Sequence, residues 1–224
     1  MIDDLLSIVD CGCKSVETNS FINSQFELKN LNLNKDKCHQ LHIGKSNENC
    51  PKLKAHQDEM IRVCKDKYLG DIVSSSGKND ENIKVKISNG IGAISNILNI
   101  LREVSLGEFY FEMAFLLRQT MFCSTILLNS EAWVNLSEKN VEDHEKMDHI
   151  LMKRIFEAPV TTPIKLLYLE SGCYPLRFHI KARRVMYLHY LVNRDQNELV
   201  SKILNAQIND PTKNDWHSTV QKDL

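Results

Sequence analysis

The chain has 224 residues, 42% hydrophobic and 25% charged, proportions that support a packed core and exclude wholesale disorder. Its 28 basic and 29 acidic residues leave a formal net charge of −1, so it lacks the overall basic excess of a strong autonomous nucleic-acid binder, although a local basic patch would survive that average. Seven cysteines, an odd number at irregular spacings behind a start that carries two aspartates, read as reduced intracellular thiols with no secretory leader. Nuclear and cytoplasmic locations both fit. No uncharged apolar run approaches the ~18 residues that a bilayer span needs. The closest, Met113 to Leu128, is interrupted by Arg118 and Gln119.

Texture changes near residue 80. Asp3-Asp4 stands before the apolar, β-prone run Leu5 to Val9. Because Asp is depleted in strand interiors, the pair reads as a hairpin tip and the run as the strand that follows it. Lys14 to Leu28 reads as a helix with Val16, Ile22 and Phe26 among polar residues, and Asn30 to Lys37 as a polar turn. Cys38 to Ile43 alternates as a strand does, and Ser46 to Pro51 is a loop. Met60 to Val63 and Tyr68 to Val73 read as two strands joined by a turn at Lys65-Asp66-Lys67.

From Asn82 the period is helical. Ile83, Ile87, Ile91, Ile94, Ile97, Leu98 and Leu101 follow a three-and-four spacing, with Gly90 and Gly92 as a kink or a close helix crossing. Phe109 to Leu128 is a second, more apolar helix. Ser137 is a candidate N-cap for a third, running to about Phe156. Thr162-Pro163 opens a fourth with proline at the first helical position, and Gly172 closes it. Leu176 to about Ala206 supplies one or two more. The residues after Asn209, with Pro211 and several polar side chains, are expected to fray. A helical core is predicted from Ile94, Leu98, Leu101, Phe115, Leu116, Met147, Leu151 and Ile155.

Several short motifs follow one another in a specific order. Met1-Ile2-Asp3-Asp4 is similar to the aromatic-x-Asp-Asp hairpin tip of reverse transcriptase palms. Leu31-Asn32-Leu33-Asn34-Lys35-Asp36-Lys37-Cys38, leading into Leu41-His42-Ile43-Gly44-Lys45, resembles the next palm motif of non-LTR retrotransposon enzymes, with Cys38 where the family has threonine. Tyr68-Leu69-Gly70-Asp71 looks like the family's primer-grip hairpin. Asn129-Ser130-Glu131-Ala132-Trp133, then Ala158 to Pro163 running into Leu167 to Gly172, then Lys181-Ala182-Arg183-Arg184 to Leu188, are similar to its thumb segments. The resemblance spans roughly residues 1 to 205 and is to the reverse transcriptases of LINE and Jockey-like elements of animals.

That resemblance implies an RNA-directed DNA polymerase using two divalent metals about 3.5–4 Å apart. Asp3 and Asp4 would hold Mg²⁺, which favours carboxylate and phosphate oxygens. Lys37 would act as general acid toward pyrophosphate, against the alternative of one more exposed lysine in a Lys-rich turn. Tyr68, Leu69 and Gly70 would grip the primer, or form plain core. Lys181, Arg183 and Arg184 would hold template–primer phosphates, or form a solvated helix face. The implied partners are an RNA template and a DNA primer. The further palm carboxylate and the fingers lie upstream in the family, so the chain is expected to lack polymerase activity alone, unless a palm/fingers partner completes it.

The implied fold is α+β: a small N-terminal antiparallel sheet of three or four strands, the partial palm, over 1–80; a mostly helical thumb and post-thumb bundle over 81–208; and a tail over 209–224. The alternatives are a non-catalytic nucleic-acid-binding or interaction protein derived from a decayed element, and a translated relic. A rival metal set, Cys11, Cys13, Cys38, His39, His42, Cys50, His56 and Cys64, fits no zinc-finger spacing.

Overall fold

A computed structural model describes residues 5–9, 12–31, 33–44, 51–55, 58–103, 107–134, 136–212 and 215–224. It is mostly helical (62%), with a few small two-stranded sheets, and so is α+β. Its contacts divide it into two compact units, 1–81 and 82–224.

The first unit opens with Leu5 to Val9 as exposed, irregular chain. The predicted strand there does not form. An apolar run becomes a strand only when a partner satisfies its backbone, and none pairs with it among the described residues. Helix α1, Gly12–Leu28, follows. It presents no single apolar stripe: Ile22 and Phe26 are half-buried, while Val16, Phe21 and Leu28 are exposed. Polar contacts fix it instead, since Asn19 and Asn23, one turn apart, both donate to the Lys54 carbonyl at 2.9 Å.

The strands are β1 His39–Leu41, β2 Lys54–Ala55, β3 Asp58–Glu59, β4 Ile61–Val63, β5 Lys65–Tyr68 and β6 Asp71–Ser74. They form three separate two-stranded ladders rather than one antiparallel sheet. One is parallel, with His39 opposite Ile61 and Leu41 opposite Val63. A parallel pair needs a long crossover, and the intervening β2–β3 hairpin lies within that crossover. The turn predicted at Lys65-Asp66-Lys67 lies inside β5; the chain reverses at Leu69-Gly70. Charge suggested the wrong site because a two-residue hairpin turn is chosen by backbone geometry. Both central residues must take positive φ, and these have φ 47° and 85°.

In the second unit α2 runs Asp80–Glu103 from its start in the first, α3 Tyr110–Leu117, α4 Ser124–Ile126, α5 Glu138–Ile155, α6 Ile164–Ser171, α7 Leu176–Val192, α8 Leu199–Asn209 and α9 Trp216–Gln221. Between α3 and α4, Arg118–Cys123 is a π-helical stretch, so the predicted Phe109–Leu128 helix is continuous but locally widened. Gly90 marks a close helix crossing. A Cβ there would meet Ile126 Cδ1 at 3.3 Å and Phe122 at 3.6 Å, whereas one at Gly92 would meet nothing within 4 Å.

Ser137 caps α5, its hydroxyl accepting from Asn140 N at 3.1 Å. Gly172 ends α6 at φ 65°, the left-handed conformation glycine adopts without strain. Pro163 is the N-cap of α6 rather than its first helical residue.

The core gathers Ile94, Ile97, Leu101, Phe122, Ile126, Leu151 and Ile155, with Leu98, Phe115 and Met147 packed against it. Leu116 is exposed, a correction to the predicted set. Two departures concern the chain after Asn209. Expected to fray, it forms α9, and Val220 is fully buried.

Candidate functional site

Of the residues singled out for catalysis and metal binding, Asp3 and Asp4 lie outside the described residues. Lys37 closes a 3₁₀ turn, Lys35–Lys37, immediately before β1; it is exposed, and its N–H donates to the Asn34 carbonyl at 3.0 Å. Tyr68, Leu69 and Gly70 are brought together at the β5–β6 turn, with Tyr68 opposite Asp71. Leu69 is 65% exposed and sits at positive φ. An aliphatic side chain pays a steric cost there that glycine or asparagine would avoid. The hairpin is tied to the strand that follows Lys37, because His39 Nδ1 lies 2.9 Å from Asp66 Oδ2. Among the described residues, no three His, Cys, Asp or Glu side chains gather as a metal site.

The basic cluster on α7 turns into the chain. Arg184 is buried, and its Nη1 donates to Asp223 Oδ2 at 2.7 Å. Lys181, half exposed, reaches Asp223 Oδ1 at 3.5 Å. Arg183 Nη1 donates to the Leu127 carbonyl at 2.7 Å, satisfying an acceptor beside the end of α4. These cations therefore meet partners within their own unit rather than forming a bare face.

Sequence reasoning missed a buried polar network between α5 and the π-helical stretch. Asp148 is fully buried and Arg118 is 2% exposed. They form a forked pair, Nε to Oδ1 at 2.8 Å and Nη2 to Oδ2 at 2.6 Å. The Tyr168 hydroxyl donates to Asp148 Oδ2 at 2.7 Å, and Arg118 Nη2 also reaches the Tyr174 carbonyl at 3.2 Å. Burial works against the guanidinium's charge, but the Asp148 carboxylate more than offsets this and holds its pKa above the ordinary value. Burial and the same carboxylate push the Tyr168 phenol up. Burial also raises the Cys123 thiol to about 11, which keeps it protonated and poorly nucleophilic. The signal for this network was in the sequence: a charge inside an apolar helix requires a buried counter-ion.

Beside it, Arg177 forks onto Glu145 at 2.8 and 2.6 Å. His144 is buried against Trp133, their ring centroids 5.2 Å apart, with Nδ1 2.9 Å from the Asn140 carbonyl. Burial depresses the pKa values of His144, His149 and His179. These imidazoles stay neutral in the folded unit while unfolded histidines take up protons near pH 6.5. Stability is then fully present above about pH 6.5 and falls as pH drops through the window below it. Melting curves at pH 7, 6 and 5 are expected to show Tm falling with pH, and His144→Leu to flatten part of that slope.

No family model, curated protein or solved structure matches the chain. No helix among the described residues is long and apolar enough to cross a membrane.

Proposed function

We propose that the chain is a partial palm with the thumb and post-thumb region of a non-LTR retrotransposon reverse transcriptase, an RNA-directed DNA polymerase in its full-length form. The observation that carries this reading is the order of the motifs: Asp3-Asp4, the Lys37 turn, Tyr68-Leu69-Gly70-Asp71, then the helical segments at Asn129, Ala158 and Lys181. Further support comes from the Leu69-Gly70 reversal, which puts an exposed leucine on a hairpin tip, and from helices concentrated in the second unit. Strained, exposed apolar residues at turns are a common mark of ligand contact.

In this reading Asp3 and Asp4 would hold Mg²⁺, which would supply Lewis-acid and charge-neutralising chemistry at the primer hydroxyl and the pyrophosphate. Lys37 donates a proton to that leaving group. The Tyr68–Gly70 turn holds the primer terminus against an RNA template.

The test is Mg²⁺-dependent extension of an oligo-dT primer on poly-A, with primer–template affinity followed by fluorescence anisotropy. The chain alone is expected to give no extension; extension abolished by Asp3→Ala/Asp4→Ala would keep the polymerase reading and overturn the expected inactivity. Primer–template binding that weakens about tenfold in Tyr68→Ala/Leu69→Ala, the scale of one lost stacking contact, supports the reading. A chain that neither extends the primer nor binds it better than blunt duplex DNA overturns it.

A further inference from the structure

Helix α7 carries an i, i+3 row of side chains suited to nucleic acid, and α9 with the turn after it covers part of it. The row runs Lys181, Arg184, Tyr187, Tyr190, so that each member neighbours the next on the helix surface. Tyr187 and Tyr190 are stacked, 5.9 Å between centroids with an interplanar angle of 17°. The Arg194 guanidinium extends the stack, 4.8 Å from the Tyr190 ring centroid. Cations at one end and stacked π faces at the other are the two elements that hold single strands, the first for phosphates and the second for bases.

α9 and the turn that follows it supply one group to each end. Asp223 places a carboxylate on Lys181 and Arg184. Trp216 sets its indole edge-on to Tyr187, with centroids 5.5 Å apart at 82°, and is anchored by Nε1 donating to the Glu131 carbonyl at 2.7 Å. Lys181 to Tyr187 is about 9 Å along α7 at the helical rise per residue, and Asp223 lies on the turn just past α9.

The cover is imperfect at one atom. Arg184 is 5% exposed, and its Nε is buried with no hydrogen-bond partner among the described residues. Asp223 engages Nη1 alone, although a guanidinium is built to bind an oxyanion through two parallel donors. A buried unmatched donor is destabilising, and a phosphate group would satisfy it by forking onto Nε and an Nη.

We propose that α9 is an internal stand-in for ligand: a single-stranded nucleic acid displaces it, putting a phosphate on Lys181 and Arg184 in place of Asp223 and a base on Tyr187 in place of Trp216. This inference rests on the reading that the chain handles nucleic acid. It adds that the α7 surface is self-masked and opens by competition.

The experiment measures anisotropy of a fluorescein-labelled 12-nucleotide single-stranded RNA with the full chain, Trp216→Ala/Asp223→Ala, and that double variant carrying Tyr187→Ala or Lys181→Gln. Unmasking is expected to tighten binding at least tenfold, and each added substitution to remove much of the gain. In the unaltered chain, saturating RNA is expected to raise acrylamide quenching of Trp216 fluorescence, the other indole, Trp133, being buried. That readout needs no variant to fold. A folded double variant that binds no tighter, with no change in quenching, overturns the inference. So does a gain abolished by sodium tripolyphosphate and insensitive to Tyr187→Ala, which would mark a plain anion site. If those results accompany normal primer–template binding by the unaltered chain, only the masking has failed. If that binding is absent too, the functional reading has failed with it.

Discussion

Asp148→Ala is expected to lower the stability of the second unit by about 3–5 kcal/mol, the cost of leaving a buried charge without its partner. At roughly 4 °C per kcal/mol for a unit of this size, thermal melting followed by circular dichroism should shift down by about 10–20 °C. The size follows from the geometry. Asp148 accepts both arms of the Arg118 fork and the Tyr168 hydroxyl, and both charged side chains are out of solvent. Removing it leaves the buried guanidinium without its counter-ion and strands Arg118 Nε and the Tyr168 hydroxyl, while Nη2 keeps only the Tyr174 carbonyl. Tyr168→Phe, which deletes one neutral donor, is expected to cost only about 1 kcal/mol. Arg118→Met/Asp148→Leu removes both charges and should recover most of the loss, because buried ion pairs are often replaceable by apolar residues of similar volume. A shift below 3 °C in Asp148→Ala would mean that the pair is solvated in solution.

Ile155→Asp is the second large expectation. Ile155 is 1% exposed on α5, in a core shared with Ile97, Phe122 and Leu151. The substitution forfeits the burial of an isoleucine, about 2–5 kcal/mol with its cavity, and adds an unpaired carboxylate in an apolar site. The second unit should not survive it as a cooperative fold at 37 °C. Ile150 lies on the same helix but is 47% exposed. Ile150→Asp should therefore change stability by no more than about 0.5 kcal/mol. Equal melting temperatures for the two variants would show that α5 packs through a different face.

What the sequence disclosed was governed by local rules. The three-and-four spacing from Ile83 to Leu101, the serine at 137 and the glycine at 172 each act within a turn or two of themselves, and the helix and its boundaries appear where they predict. What stayed hidden depends on partners distant in the chain. Leu5 to Val9 has the composition of a strand, but strand formation depends on another segment. The Lys181–Arg184 cluster read as phosphate-binding or as a solvated face because the carboxylate that Lys181 and Arg184 share, Asp223, lies about forty residues on. Leu116 was assigned to the core, yet it stands just before the π-helical stretch and faces outward.

The candidate site divides the same way. Composition and period put Tyr68 to Val73 in one strand, and only the resemblance of Tyr68-Leu69-Gly70 to a primer grip marked a hairpin there. The reversal at Leu69-Gly70 was hidden because the Leu69 conformation is imposed by the hairpin rather than preferred by leucine.

The π-helical stretch has a consequence for how this chain tolerates change in length. A π turn holds one residue more than the α turn it replaces, so it behaves as an insertion absorbed without breaking the helix. Deleting Thr120, whose hydroxyl only bonds back to the Leu116 carbonyl at 2.8 Å, would restore ordinary winding with Phe122, Cys123 and Ile126 still facing the core. The same deletion in the regular helix α5 would swing every later residue by about 100° and carry Leu151 and Ile155 out of the core. Deletion of one codon should thus be survivable at Thr120 and ruinous a few turns away, which makes this short segment a place where the helical unit can shorten and keep its fold.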